Sequence, residues 1–139
     1  IDDEARWALI AASDVLISLH RSEGFGLSLA EAMSIGKPTI ATDWSGNLDF
    51  MSRENSFLIP FKLEDTRDPG GPYEIARGRW ADPDVVAAAT MLRMLADDRD
   101  CAARIGARAK ADIAARLTPQ VHVSALYVAR LPGVTGARR

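Results

Sequence analysis

Residues 15–42 constrain this chain more than any other stretch. Val15-Leu16-Ile17-Ser18-Leu19 is a short apolar run rich in β-formers. Such a run predicts a strand covered on both faces, the kind found in parallel sheets. Glu23-Gly24-Phe25-Gly26 interrupts the pattern as a glycine-containing loop. Residues 27–35 then read as a helix: Leu27, Ala30 and Ser34 share one face, and Leu29 and Met33 another. Gly36 just past the end is a natural left-handed stop, and Pro38 helps to prevent continuation. Thr39-Ile40-Ala41-Thr42 is a second short strand. Strand, helix and strand at these distances make a βαβ unit, which implies a parallel sheet with right-handed crossovers.

The flanking segments extend this plan. Residues 2–13 read as a helix, with Ala5, Ala8, Leu9 and Ala12 at helical spacing and Asp2, Asp3 and Glu4 at its positive end. Residues 43–47 form a turn and 48–51 one helical turn. Residues 56–61 are a third strand, with Pro60 marking its end or an edge. From 62 to 81 the chain is polar and carries the breakers Asp68-Pro69-Gly70-Gly71-Pro72. It reads as a loop too long for a compact domain unless it is functional or mobile. Asp82-Pro83-Asp84 signals a helix start, with Asp82 as cap and Pro83 at the first helical position. Val85, Ala88, Ala89, Leu92 and Leu95 give that helix its apolar stripe. A further helix over 99–116 places Cys101, Ile105, Ala109 and Ile113 on one face, leaving Arg104 and Arg108 on a solvated one. Thr118-Pro119 starts a last helix to 131, and 133–139 is a frayed tail. The expected fold class is α/β: a partial Rossmann-like parallel sheet with flanking helices and a helical C-terminal region.

Composition narrows the functional classes. The chain has 139 residues, 47% hydrophobic and 26% charged, which is the profile of one globular domain. That profile excludes a disordered tail, a collagen-like chain and a disulfide scaffold. A net charge of −2 supplies no basic field for nucleic acid. No apolar stretch approaches the roughly 20 residues needed to cross a bilayer, so no transmembrane segment is expected. The opening Ile1-Asp2-Asp3-Glu4 has neither the basic start nor the apolar region of a signal peptide. A lone Cys101, on an apolar helix face, reads as a small buried hydrophobe in a reducing compartment. A cytoplasmic location is expected, with any peripheral membrane contact made through sequence outside this chain.

The chemistry-bearing stretch is His20-Arg21-Ser22-Glu23-Gly24-Phe25-Gly26-Leu27 and the helix behind it. Ligands in open α/β sheets bind at the carboxyl ends of strands, where this loop lies. A helix N-terminus offers unpaired N–H groups and about half a positive charge, which suits a phosphate. Gly24 and Gly26 let the backbone approach a ligand closely. With the loop folded over, Glu23 and Glu31 can face one pocket, and paired carboxylates suit vicinal hydroxyls. Taken alone, Glu23 would be a solvated loop acid and Glu31 a surface helix acid. Phe25 reads as a packing anchor rather than a stacking partner. His20 and Arg21 are placed either to reach a ligand or to serve the fold. Ser45, Gly46 and Asn47 form a second strand-end loop on the same side of the sheet, either a pocket wall or a plain turn. Trp44 and Trp80 read as packing residues, and Lys37 as a cation complementing the end of its helix.

Glu23-x7-Glu31 with Gly-Phe-Gly inside it resembles the E-x7-E motif of retaining GT-B glycosyltransferases, in particular the "glycosyl transferases group 1" family. The likeness covers about forty residues in order: Glu23-Gly24-Phe25-Gly26-Leu27, Ala30-Glu31-Ala32-Met33, Gly36-Lys37-Pro38 with its strand, and Thr42-x3-Gly46. Asn55-Ser56-Phe57-Leu58-Ile59 and Trp80-Ala81-x-Pro83-Asp84 also look like that family's C-terminal region. The resemblance implies that Glu23 lies at the donor sugar near the reaction centre. It implies that the backbone of Gly24, Phe25, Gly26 and Leu27 meets the sugar and diphosphate, and that Glu31 takes the ribose hydroxyls. The implied reaction moves a hexose-type sugar from a nucleoside diphosphate donor to an acceptor hydroxyl, with retention, no bound metal and no cofactor. Asp49 stands where many members have glutamate.

In that family two Rossmann-like domains flank the site, roughly 300 residues or more by domain size. The motif here begins at residue 23. The resemblance therefore implies that residues 1–139 are the C-terminal part of the donor-binding domain. The first strands of that domain and the N-terminal acceptor domain would lie outside it, and the isolated chain would be inactive. A second class of reading is a non-catalytic nucleotide- or sugar-binding module of the same fold, which loss of either glutamate would have favoured. A third is a related epimerase or phosphorylase, against which the Gly-Phe-Gly-Leu and Ala-Glu-Ala-Met surroundings argue.

Overall fold

The computed structural model describes residues 3–73 and 78–117. In chain order they form α1 (Asp3–Ala12), β1 (Leu16–Ser18), α2 (Leu27–Ser34), β2 (Thr39–Thr42), a 3₁₀ turn (Gly46–Asp49), β3 (Phe57–Ile59), β4 (Phe61–Asp65), β5 (Arg79–Pro83), α3 (Val85–Asp97) and α4 (Arg99–Arg116). The last helix and tail expected beyond residue 117 lie outside the described residues.

The first three strands make the expected parallel sheet, in the order β1-β2-β3. Ile17 pairs with Ile40, and Ala41 with Leu58. All four residues of β2 are buried because both sheet faces are covered. Ala41 points into a cluster with Phe25, Leu29, Met33, Phe50, Ala109 and Ile113, beneath α2 and α4. Ile40 points the other way, with Ile59, Ala88 and Leu95, beneath α3. β1 departs from expectation. Among the described residues it stands at the sheet edge with Ile17 39% exposed, so it is not covered as a central strand would be.

Helix ends follow local chemistry. Gly36 (φ +83°) ends α2, with Gly36 N–H donating to Met33 O and Lys37 N–H to Ala32 O, both at 2.9 Å. Those two bonds satisfy carbonyls that the helix end would otherwise leave open. Asp98 ends α3 and caps α4, its carboxylate accepting from Cys101 N–H at 2.8 Å. Cys101 itself is only half-buried.

Four expectations need correction. The 62–81 segment is not one loop. Its flanks are β4 and β5, an antiparallel hairpin pairing Phe61 with Pro83, Leu63 with Ala81 and Glu64 with Trp80. The alternation of Phe61 and Leu63 with Lys62 and Glu64 carries a strand period that the charges and the Pro-Gly tip disguise. Pro60, with no N–H to donate, separates β3 from β4. The helix start also moves: Asp84, not Asp82, caps α3 by accepting from Ala87 N–H at 2.9 Å, and Pro83 closes β5. Val85 and Ala89 are exposed, and the buried side of α3 runs through Ala88 and Leu95. The helical turn lies at Gly46–Asp49 rather than 48–51.

Candidate functional site

The loop after β1 starts α2 without a side-chain cap among the described residues. Gly26 takes φ +91° at the helix cap, and no side chain caps that end. Glycine is required there: the conformation is left-handed, and a Cβ would press on Leu29, Asn47 and Phe50 at 3.2 to 3.4 Å. The N-terminus of α2 therefore faces out with its partial positive charge. A cleft of about 420 Å³ lies between this end of α2 and the edge of β1, and Glu23, Gly26, Leu27 and Ser28 line it.

A second loop clasps the first. Ser45 Oγ accepts from Glu23 N–H at 3.1 Å and donates to Glu23 O at 2.7 Å. Gly46 N–H donates to the same carbonyl at 2.9 Å. A Cβ on Gly46 would fall 2.1 Å from Gly24 O, so the two loops touch backbone to backbone. Ser45 adopts φ +85° and ψ −155°, a region nearly confined to glycine. Strain of this kind persists only where the surroundings hold it, and here the Glu23 clasp does so. Phe25 turns inward, 4% exposed, with its ring 5.1 Å from that of Phe50. Its amide donates to Glu23 Oε1 at 3.3 Å, which draws the carboxylate back over the loop. Gly24 lies between these two contacts.

His20 is fixed from both sides. Its Nε2 meets Trp44 O at 2.9 Å and Asn47 Oδ1 at 3.2 Å. A carbonyl can only accept, and Asn47 Nδ2 donates to Thr42 O at 3.1 Å, so both oxygens at Nε2 accept. The proton is therefore assigned to Nε2, and Nδ1 faces Ser18 Oγ at 3.1 Å. Thr42 Oγ1 donates to His20 O at 2.7 Å. The imidazole thus joins the two strand-end loops.

Glu31 sits apart from Glu23. It is buried on α2 and ion-paired with Arg6 of α1, and it does not line the cleft that Glu23 lines. The hydrogen bond to Glu31, followed by one to Asp3, raises Arg6 above the ordinary guanidinium value. Sequence reasoning missed Arg6, because nothing local links it to a carboxylate 25 positions away. Arg21 turns toward the β4–β5 hairpin instead of the cleft, its guanidinium 4.3 Å from the Trp80 ring centre.

A strand-end loop, an uncapped helix start and a second loop clasped against it define an anion- and polyol-compatible site on a Rossmann-like sheet. Residues 1–66, a little under half of the chain, match the family model described as glycosyl transferases group 1. The matched region holds α1, the three-stranded sheet and every residue of this site. The match supports that family and, with it, glycosyl transfer as the general chemistry. No curated protein matches the chain.

Proposed function

We propose that this chain is the nucleotide-sugar-binding part of a retaining GT-B glycosyltransferase. The observation that carries the reading is the Glu23–Gly26 turn delivering an uncapped α2 N-terminus to a cleft that Glu23 also lines. The diphosphate would rest on the first amides of α2, where the helix charge offsets the leaving group without a metal. The Gly24, Phe25, Gly26 and Leu27 backbone lies beside it, and the Phe25 ring serves only to anchor the loop. Glu23 holds hydroxyls of a hexose-type donor at the reacting carbon. Glu31 takes the ribose hydroxyls; Arg6 occupies Oε2, and a carboxylate keeps further lone pairs for a diol. In the reaction, an acceptor hydroxyl oxygen bonds to the anomeric carbon. The bond to the diphosphate breaks with its electron pair, and the hydroxyl proton is released. The donor's configuration is retained.

In this reading the sheet continues beyond β1, whose outer edge has no strand partner among the described residues. The remaining donor-domain strands and an acceptor-binding domain belong to a longer protein of the cytoplasm, and the 139-residue chain alone does not turn over. Calorimetric titration with UDP, GDP and ADP, and with their glucose conjugates, tests the proposal. One nucleotide series should bind, and Glu31→Ala in the full-length protein should weaken it at least tenfold. Unchanged donor affinity and turnover in that variant would remove Glu31 from the site, and transfer by the isolated chain would overturn the division of labour.

A further inference from the structure

The cleft beside the start of α2 holds one hydroxyl whose hydrogen-bonding sense is dictated from behind. Leu16 packs against the cluster beneath α2. Ser18 stands two residues further along β1, so it shares that face of the strand. It lines the cleft together with Glu23, Gly26, Leu27 and Ser28. Its Oγ lies 3.1 Å from His20 Nδ1. His20 Nε2 carries the ring proton, because Trp44 O and Asn47 Oδ1 both accept there. Asn47 is fully buried and itself held on Thr42 O, so that arrangement is rigid. The Nδ1 of a neutral imidazole protonated at Nε2 can only accept. Ser18 therefore donates its one O–H to His20, and toward the cleft its oxygen can only accept.

We propose that Ser18 is a specificity-determining residue of this cleft, accepting a hydrogen bond from a hydroxyl of the bound ligand, and that His20 is the positioning residue that holds it to that sense. On the transferase reading above, on which this rests, that hydroxyl belongs to the sugar of the nucleotide-sugar donor. The two sides of the cleft differ in kind. From β1 and its loop come Ser18 Oγ and the Glu23 carboxylate, which accept. From α2 come the N–H donors of a helix start without a side-chain cap among the described residues. A phosphate oxygen only accepts, so it suits the helix start and is mismatched at Ser18. A sugar hydroxyl can donate, so it suits Ser18 and Glu23. The ligand is thereby oriented, hydroxyls toward β1 and phosphates toward α2. A further strand beside β1 would pair in the plane of the sheet and leave this face open.

Two measurements on the 139-residue chain test this. The first reads the tautomer in long-range ¹H–¹⁵N spectra of the imidazoles, with His20 told from His122 by its loss in His20→Gln. The Nε2–H form is expected, and the Nδ1–H form overturns the proposal. The second is calorimetric titration with UDP, GDP and ADP and with their glucose, galactose and mannose conjugates. The sugar increment is the ratio of the diphosphate Kd to the conjugate Kd. Ser18→Ala should cut that increment about fivefold, as one lost hydrogen bond would, and leave the diphosphate Kd unchanged. His20→Gln keeps an amide N–H for Trp44 O and loses the acceptor at Nδ1. It should lower the increment when Ser18 is present and add nothing to Ser18→Ala. A merely structural His20 would weaken diphosphate and conjugate alike, and in both backgrounds; that result overturns the proposal. So does an increment that Ser18→Ala leaves intact, or a bound diphosphate that no conjugate improves upon. In each of these cases nucleotide binding stands and only the roles of Ser18 and His20 fall. Silence from every nucleotide removes the transferase reading and these roles with it.

Discussion

Ser45 holds both backbone polar groups of Glu23, its Oγ accepting from the N–H at 3.1 Å and donating a hydrogen bond to the carbonyl at 2.7 Å. One hydroxyl thereby fixes the residue that begins the glycine turn. Ser45→Ala should cost about 1–2 kcal/mol from the two lost hydrogen bonds. Ser45→Gly loses the same bonds, but it relieves a backbone conformation that costs about 1–3 kcal/mol for any other residue. Urea unfolding should therefore rank Ser45→Gly as the more stable of the two variants. Equal midpoints would show that the backbone at Ser45 stores no strain.

Arg6 and Glu31 should behave as one unit. Arg6→Ala leaves a buried carboxylate without its cation, and Glu31→Gln takes the negative charge from the pair while Arg6 keeps its bond to Asp3. The double variant should lose less stability than the two single losses added together. Strict additivity in thermal unfolding would mean that the pair contributes nothing to α1–α2 docking.

Gly106 of α4 sets how closely that helix approaches the end of α2. A Cβ there would sit 2.1 Å from Gly36 O. In an open helix, glycine to alanine gains about 1 kcal/mol. Overpacking at this contact should outweigh that gain and cost a net of about 1–2 kcal/mol. Chemical denaturation of Gly106→Ala checks the sign, and a stabilised variant would contradict the packing.

Asp112 gives the fold an acid-sensitive contact. Burial works against its charge. Hydrogen bonds from Arg108 (Nε to Oδ1, 2.9 Å) and Asn55 (Nδ2 to Oδ2, 3.0 Å) outweigh burial and hold its carboxyl below the ordinary value of 3.8. A depressed carboxyl adds stability that is fully present above the unfolded value and is lost as pH falls through the folded one. Asp112→Ala should thus destabilise the chain at pH 7, and the gap from the unaltered protein should close below about pH 4. A gap that persists in acid would assign the effect to packing alone.

The βαβ unit was legible because its cues are local and agree: an apolar run, helical spacing, Gly36 and Pro38, and a second run. The α4 boundaries, Arg99–Arg116, were legible for the same reason. The hairpin was not, since Lys62, Glu64, Asp65 and Asp82 give its strands the polarity of a loop. Their partners across the ladder become visible only in three dimensions. At the site, the glycine turn could be read from sequence, but the clasp by Ser45 could not. A serine in a glycine conformation has no composition signal. Glu31 illustrates the converse: its motif position was plain, while its Arg6 partner depends on how α1 packs.

The hairpin has one more consequence. It leaves the sheet after Pro60 and rejoins α3 at Asp84, and Asp84 N–H donates to Pro60 O at 2.8 Å. The chain thus departs and returns at a single hydrogen-bonded junction. Past the Ala81–Arg21 bonds, the tip of the hairpin can be lengthened or shortened without re-routing a strand of the parallel sheet. Lengthening such a loop costs only about 0.6 kcal/mol for each doubling. The junction keeps two parts apart: a glycine turn held by its Ser45 clasp, and a hairpin whose length that clasp does not set.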